Sequence, residues 1–542
     1  MSPRLKLQRA ASLALVCGVL TTAGTAPAQA SLLGGGGLLG GVVGGLTGTV
    51  VGVVTTAADT TTGLLNGADW GYSSSQTPMS LVNQTIGANS MADLGYTGKG
   101  VGVALIDTGV VSVPGLTSGN VVNGPDLSLD NPSSQLANVD GFGHGTHMAG
   151  IIAGNDGTSN GYKGVAPGAT LLNVKVGSTD GAVDVSQVIA GIDWVVQHRN
   201  DNGMNIRVIN LSYGTDGAQS YQLDPLAAAV EHAWQHGIVV VVAGGNSGTT
   251  IPSLDNPATD PYVISVGADD PNGTSSSYDD AIPQFSSRGS ASRHVDLVAP
   301  GQSIVSLRDP GSYIDTEYPA AVVNTRFFKG SGTSQATGVV SGAVALLLQQ
   351  RPNLTPDQVK AALMSTATAL PQASAQARGA GLLNVFGASL ALVGSSTQTW
   401  PASSGLGTLE GARGDVHIGD NGVLLTGERD IFGSPWNAAS WATDSAAGSA
   451  WDGGWWNGSE WTGDCWCGDS WTGDPWSGHT WSGHTWSGHT WSGSAWTGHT
   501  WSGESWDGHT WSGSGWVGHT WSGSAWTGHT WSGHTWSGAW WG

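Results

Sequence analysis

The feature that most constrains this chain is a series of strand-length apolar runs in its middle third. They fall at Val101–Ile106, Ala169–Val176, Ile206–Leu211, Ile238–Val242, Tyr262–Val266 and Val295–Val298. Helical patterns lie between them at His144–Ala153, Val183–His198 and Pro225–His236, and two more follow at Thr333–Gln350 and Thr355–Ala367. The last carries a start signal: Thr355 as N-cap, Pro356 at the first helical position, Gln358 three residues on. The runs do not alternate apolar with polar, so each strand must be buried on both faces. That pattern predicts an α/β fold: a mainly parallel central sheet between two helical layers. Such sheets bind ligands at the carboxyl ends of their strands, so functional residues are sought just after each run.

Only the stretch from Leu81 to Leu392 has ordinary globular composition. The whole chain has 542 residues, 86 of them glycine and 27 tryptophan, and 11% charged residues, against about 25% in an average domain. The remainder is therefore biased sequence. At the start, Arg4, Lys6 and Arg9 precede the short apolar run Ala10–Leu20, and Ala28-Gln29-Ala30 offers small residues for cleavage. Residues 1–30 read as a secretory signal, too short to span a bilayer. Residues 31–80, rich in Gly, Leu and Val, read as a short propeptide or linker. The expected location is secreted or cell-surface associated. A net charge of −21 argues against nucleic acid as a partner. Three cysteines do not make a disulfide framework.

Motifs appear where the sheet predicts them. Val103–Ile106 ends in Asp107-Thr108-Gly109, and a buried aspartate needs partners. Asp140-Gly141-Phe142-Gly143-His144-Gly145-Thr146-His147 opens the first helix. Gly332-Thr333-Ser334 opens a later one, placing a serine beside the unpaired N–H groups of a helix start. These motifs run in the order Asp, His, Ser. Gly164–Pro167, Leu211–Gly214, Ala243–Gly248, Phe285–Gly289 and Val298–Gly301 lie between or beside them. Together they resemble the subtilisin-like serine proteases over roughly residues 81–393.

The resemblance implies a three-layer subtilisin-like fold and a serine endopeptidase acting on protein or peptide substrates. Ser334 would be the nucleophile, His144 its general base and Asp107 the residue orienting the imidazole. Asn246 would donate to the oxyanion. Ser212, Tyr213 and Gly214, with Ala243, Gly244 and Gly245, would pair with the substrate backbone and wall the first specificity pocket. Asp255 would lie near the pocket floor and favour Lys or Arg; the rival reading is a turn residue facing solvent. No cofactor is needed for this chemistry. Structural calcium is a family habit, and the oxygen-rich loop Asn155–Asn160 is the place to look. One departure stands out after Ser334: Thr337 and Gly338 replace the family's usual Pro and His.

Residues 394–433 read as a linker with short strands. Its Arg413-Gly414-Asp415 triplet reads as an accidental match to an adhesion motif. From Trp451 to Trp541 a tryptophan recurs every five residues. Residues 434–542 hold 23 of the 27 tryptophans and form a low-complexity or β-like tail. A glycine in each unit disfavours helix. In one continuous strand successive tryptophans would alternate faces, because five is odd. Indoles suit stacking on sugar rings, so cell-wall polysaccharide is the expected ligand. Eight histidines in the tail add a metal or pH-sensing reading. Two function classes follow: a secreted protease with an attachment tail, or a surface adhesion protein with an inactive protease-like domain.

Overall fold

A computed structural model describes residues 76–460 apart from 129, 131–136, 250, 252, 416 and 421–422, and the backbone of five short strands between 500 and 532. The expectations for residues 1–75, and for Cys465 and Cys467, lie outside the described residues. Among those described, no helix is long and apolar enough to cross a membrane.

Seven strands form the central sheet: β1 (Gly102–Asp107), β2 (Val121–Asp126), β3 (Thr170–Lys175), β4 (Ile206–Leu211), β5 (Val239–Ala243), β6 (Ile264–Asp269) and β7 (Leu297–Pro300). Their order is β2-β3-β1-β4-β5-β6-β7, and every pairing is parallel. All but β2 match apolar runs of the sequence. Strand β2 is an edge strand, half exposed, and its Val-Val-Asn-Gly-Pro-Asp reads as a turn. Five helices flank the sheet: α1 (His144–Ala153), α2 (Val185–His198), α3 (Pro225–Gln235), α4 (Thr333–Gln350) and α5 (Pro356–Ser365). Helix α1 packs with α4, and α2 with α3. The capping box expected at Thr355 is present, with Gln358 N donating to Thr355 Oγ1 at 3.3 Å.

Register decides what meets at the functional edge. Ile106 lies beside Leu211, and Leu211 beside Val242. Asp107, Ser212 and Ala243 therefore leave the sheet side by side at its carboxyl edge.

A further layer covers α2 and α3. Residues 394–433, expected as a linker with short strands, carry the short strands His417–Asp420 and Val423–Leu424 and also α6 (Leu409–Arg413), and are followed by α7 (Ala438–Ala446) against α3. Leu409, Ile431, Phe432, Trp436, Trp441, Trp451 and Trp456 are buried. The reason lies in α2, whose residues are all buried except Trp194, Gln197 and His198. One side of α2 meets the central sheet, while Ser186 and Asp193 meet the added layer. One polar residue anchors that cover. Asp193 Oδ2 accepts from Trp441 Nε1 at 2.8 Å and Trp456 Nε1 at 2.9 Å, and Oδ1 accepts from Ser445 Oγ at 2.6 Å. Burial pushes this carboxyl up to about 6 against the pull of those three donors.

Short antiparallel strands recur among the described residues of the repeat. Thr500–Ser502 pairs antiparallel with Ser505–Asp507, and Thr510–Ser512 with Gly515–Val517. Trp501 stands opposite Trp506, Trp511 opposite Trp516 and Trp451 opposite Trp456. The turns at Gly453-Gly454 (φ 57° and 99°) and Asn457-Gly458 (φ 45° and 81°) have both central residues left-handed, the hairpin geometry that matches strand twist. Where the units are described the chain pairs antiparallel with its successor, so the alternation expected of one continuous strand does not arise there.

Candidate active site

Strand β1 is buried along its whole length and delivers Asp107 to the edge of the sheet. Asp107 Oδ1 accepts from Thr108 N at 2.8 Å and lies 2.5 Å from His144 Nδ1. Thr108 and Asp140 hold this arrangement. Thr108 Oγ1 donates to Asp140 Oδ1 at 2.7 Å and accepts from Gly145 N at 2.9 Å. Asp140 also accepts from Gly143 N and Thr146 N, each at 2.7 Å, capping α1 from upstream of its N-cap. Helix α1 rides directly on the Asp-Thr-Gly turn: a Cβ on Gly145 would stand 2.0 Å from Gly109 O. No side chain larger than hydrogen fits there.

Burial sets the protonation of the pair. It pushes the His144 imidazole well below its ordinary value, against the opposing pull of Asp140, so the ring is neutral at neutral pH. Burial also pushes Asp107 up, countered by the N–H and hydroxyl of Thr108. A proton between Nδ1 and Oδ1 leaves Nε2 of His144 as the basic nitrogen.

Helix α4 brings Ser334 to α1. Its residues Gly338 and Gly342 face α1 and the segment after it. A Cβ on Gly338 would lie 2.6 Å from Met148 Cε, and one on Gly342 would lie 2.6 Å from Val165 Cβ. Ser334 is one turn before Gly338 and His144 one turn before Met148, so serine and histidine occupy the same flank of the packed pair. The departure noted at Gly338 thus has a packing reason: about 1 kcal/mol of helix propensity is traded for close approach. Ser334 Oγ donates to Ser212 O, and Ser212 Oγ to Ser334 O, both at 3.4 Å.

Asn246 follows β5 and is buried. Its Oδ1 accepts from Thr333 N at 2.8 Å and Thr333 Oγ1 at 3.0 Å. That pair of donors fixes the amide, leaving Nδ2 on the other side. A point beside Gly332 lies 3.7 Å from both Asn246 Nδ2 and Ser334 N. The same point lies 2.7 Å from Gln335 Oε1, so two N–H donors and one amide oxygen border this small volume, and the two donors are the groups suited to a developing oxyanion.

Asp255 is buried between the two glycine-rich segments. A Cβ on Gly245 would stand 2.7 Å from both its carboxylate oxygens, and one on Gly214 would stand 2.8 Å from its Cβ. Thr215 and Asn256 pair backbone to backbone, at 2.9 and 2.8 Å, which holds this loop against the Ser212–Gly214 segment. The carboxylate does not face open solvent, as a simple turn residue would.

Other expectations resolve differently. His147 is a core residue, with Nε2 3.2 Å from Phe328 O and its pKa pushed down to about 3, chiefly by burial. The loop Asn155–Asn160 does not suit calcium. Arg326 pairs with both oxygens of Asp156, and Tyr162 N donates to Oδ2 at 2.7 Å. Among the described residues no group of three or more His, Cys, Asp and Glu could hold a metal ion. Sequence reasoning missed Thr108, Asp140 and Thr333. Their signal was local: a carboxylate just upstream of a helix start, and hydroxyls adjacent to the motif residues.

The chain is similar to several known proteins. The subtilase family matches residues 98–388. Serine protease AprX of Bacillus subtilis (strain 168) is 41% identical over 295 residues, which cover 53% of this chain and 66% of that protein. Subtilisin DY of Bacillus licheniformis is 36% identical over 302 residues, covering 55% of this chain and 94% of that protein. The crystal structure of fervidolysin from Fervidobacterium pennivorans, a keratinolytic enzyme related to subtilisin, is 30% identical with a TM-score of 0.46, over 57% of this chain and 45% of that one. Fold and relatives define the class, subtilisin-like serine endopeptidases. The chain belongs to the subtilase family.

Proposed function

We propose that this protein is a secreted endopeptidase that cleaves peptide bonds through Asp107, His144 and Ser334. The observation that carries this reading is the meeting of two helix starts, one bearing a neutral imidazole held by a buried carboxylate, the other a serine beside two N–H donors. Ser334 Oγ attacks the scissile carbonyl carbon while His144 Nε2 takes its proton. Asp107 holds the Nδ1 proton and offsets the imidazolium charge. The carbonyl oxygen, now an anion, sits between Asn246 Nδ2 and Ser334 N. His144 then gives its proton to the leaving amine, the C–N bond breaks and an acyl-enzyme remains. Water deprotonated by His144 releases the acid and restores Ser334. No cofactor enters these steps.

Ser212–Gly214 and Ala243–Gly245 offer two backbone edges to the substrate. Asp255, lying between them, supports a preference for Lys or Arg at the scissile residue. The tryptophan array would attach the enzyme to cell-wall polysaccharide, a reading supported by its composition.

A serine-directed fluorophosphonate tests the chemistry. It labels the wild-type protein and not Ser334→Ala; an unlabelled but folded wild type would sink the proposal. Arginyl and phenylalanyl peptides test the pocket, with Asp255→Ser expected to reverse a preference for arginine.

A further inference from the structure

We propose that the layer over α2 and α3 braces the substrate cleft from outside, and that Arg413 positions the segment Ser212–Gly214 within that cleft. This rests on the reading of Ser212–Gly214 as the segment that pairs with substrate. Nothing in the family match, which ends at residue 388, includes this layer.

The loop that continues from Gly214 is fastened to the added layer along its length. Thr215 Oγ1 donates to Ala412 O at 2.6 Å. Asp415 N donates to Asp216 Oδ1 at 2.7 Å. Gln219 Nε2 donates to Thr408 O at 2.9 Å, Gly407 N to Leu223 O at 2.6 Å and Ser404 N to Gln222 O at 2.8 Å. At Gly217 the two backbones touch: a Cβ there would lie 2.7 Å from Gly411 O and 2.9 Å from Ala412 O. Gly414 makes the reciprocal approach, with φ +61° and a Cβ position 2.5 Å from Asp216 Oδ1.

Arg413 closes the arrangement from below. It is wholly buried. Nε donates to Asp184 Oδ2 at 2.6 Å and Nη2 to Asp184 Oδ1 at 3.3 Å, a two-pronged contact that lysine cannot copy. Nη1 donates to Gly427 O at 2.7 Å, and Nη2 to Arg429 O. Asp184 is the N-cap of α2, and Ser186 Oγ in its first turn accepts from Ile431 N at 2.9 Å. Tyr213, the middle residue of the substrate segment, is buried where the charges of Asp184, Arg413 and Asp216 all act on its hydroxyl. One guanidinium thus ties together the start of α2, the added layer and the surroundings of the substrate segment. The Arg-Gly-Asp triplet is an internal clamp and not an exposed adhesion loop.

Substrates that occupy the cleft beyond the scissile residue should sense this clamp, and minimal substrates should not. Gly217→Ala wedges the loop away from the added layer without disturbing a buried charge. Arg413→Lys keeps the charge and loses the fork. Each variant is compared with wild type on an N-acyl tetrapeptide amide and an N-acyl single-residue ester, both carrying the residue wild type prefers. Thermal unfolding of each variant is followed in parallel. We expect kcat/KM on the tetrapeptide to fall roughly tenfold, through KM, the scale of loss when a substrate is held slightly out of place. The ester and the rate of fluorophosphonate labelling should stay within about twofold. Equal losses on both substrates, or no loss on either by a variant that folds, would overturn the proposal. A wild type that neither labels nor hydrolyses the ester would instead overturn the hydrolase reading beneath it.

Discussion

Single residues in this protein act through what they hold. Thr333 sets the orientation of the Asn246 amide, and Thr108 links Asp107 to the cap of α1. Neither was legible in the sequence, because a hydroxyl beside a motif serine or aspartate looks like any turn residue. A second pairing was hidden for the same reason. Glu231 on α3 and Asp260 in the loop after Asp255 are buried against each other, with Glu231 Oε1 accepting from Ser403 N at 2.8 Å. Burial, then the neighbouring carboxylate, raises Glu231 from 4.5 to about 8; burial raises Asp260 from 3.8 to about 7. The folded protein therefore keeps protons that the unfolded chain has released between about pH 4 and 8, so the pair's contribution to stability falls as pH rises through that window. Glu231→Gln should flatten the decline of melting temperature between pH 5 and 9. Parallel curves for variant and wild type would show that the pair does not share a proton.

At the scale of elements, the contact between α1 and α4 decides whether a site exists. The two glycines on α4 are not equivalent. Opposite Gly338 lies the mobile end of Met148, whereas opposite Gly342 lies the branched Cβ of Val165. Gly342→Ala should cost about 1–3 kcal/mol by overpacking and lower kcat as the serine is displaced. Gly338→Ala, with a methionine tip that can move, should cost less and regain helix propensity. Denaturant titration of both variants checks the order; a larger loss at Gly338 would contradict it. The strands and helices of this region were readable from the sequence to within a few residues, because their apolar runs have no alternative use. The positions of Asp107, His144 and Ser334 were readable because each follows or opens an element. The close approach of α4 was not, since a glycine in a helix signals only a cost until its neighbour is known.

The whole molecule has a boundary other than the one its composition draws. Gly- and Trp-rich sequence begins near residue 394, yet the packed unit continues to Glu460, with Trp436, Trp441, Trp451 and Trp456 inside it. Composition misled here because buried tryptophan and repeat tryptophan look alike in one dimension. Truncation after Glu460 removes the strand His529–Ser532, which pairs antiparallel with His417–Asp420 of the added layer, so it should lower melting temperature slightly, leave peptide hydrolysis unchanged and remove any retention on cell-wall material. Truncation after Val393 should yield insoluble or unfolded chain, since it strips cover from α2, takes the Arg413 guanidinium from Asp184 and leaves Asp193 without its three donors. A soluble, active product ending at Val393 would refute this boundary.

The pairing of Trp451 with Trp456, Trp501 with Trp506 and Trp511 with Trp516 has a consequence for how such a protein can change over generations. Slippage that copies or deletes a block of five codons adds or removes one rung, and the ladder pattern is preserved at every length. The same event among the first rungs would pull an indole off Asp193 and weaken the enzyme itself. Rung number beyond residue 460 should therefore drift freely among close kin, while the sequence that leads into it stays put.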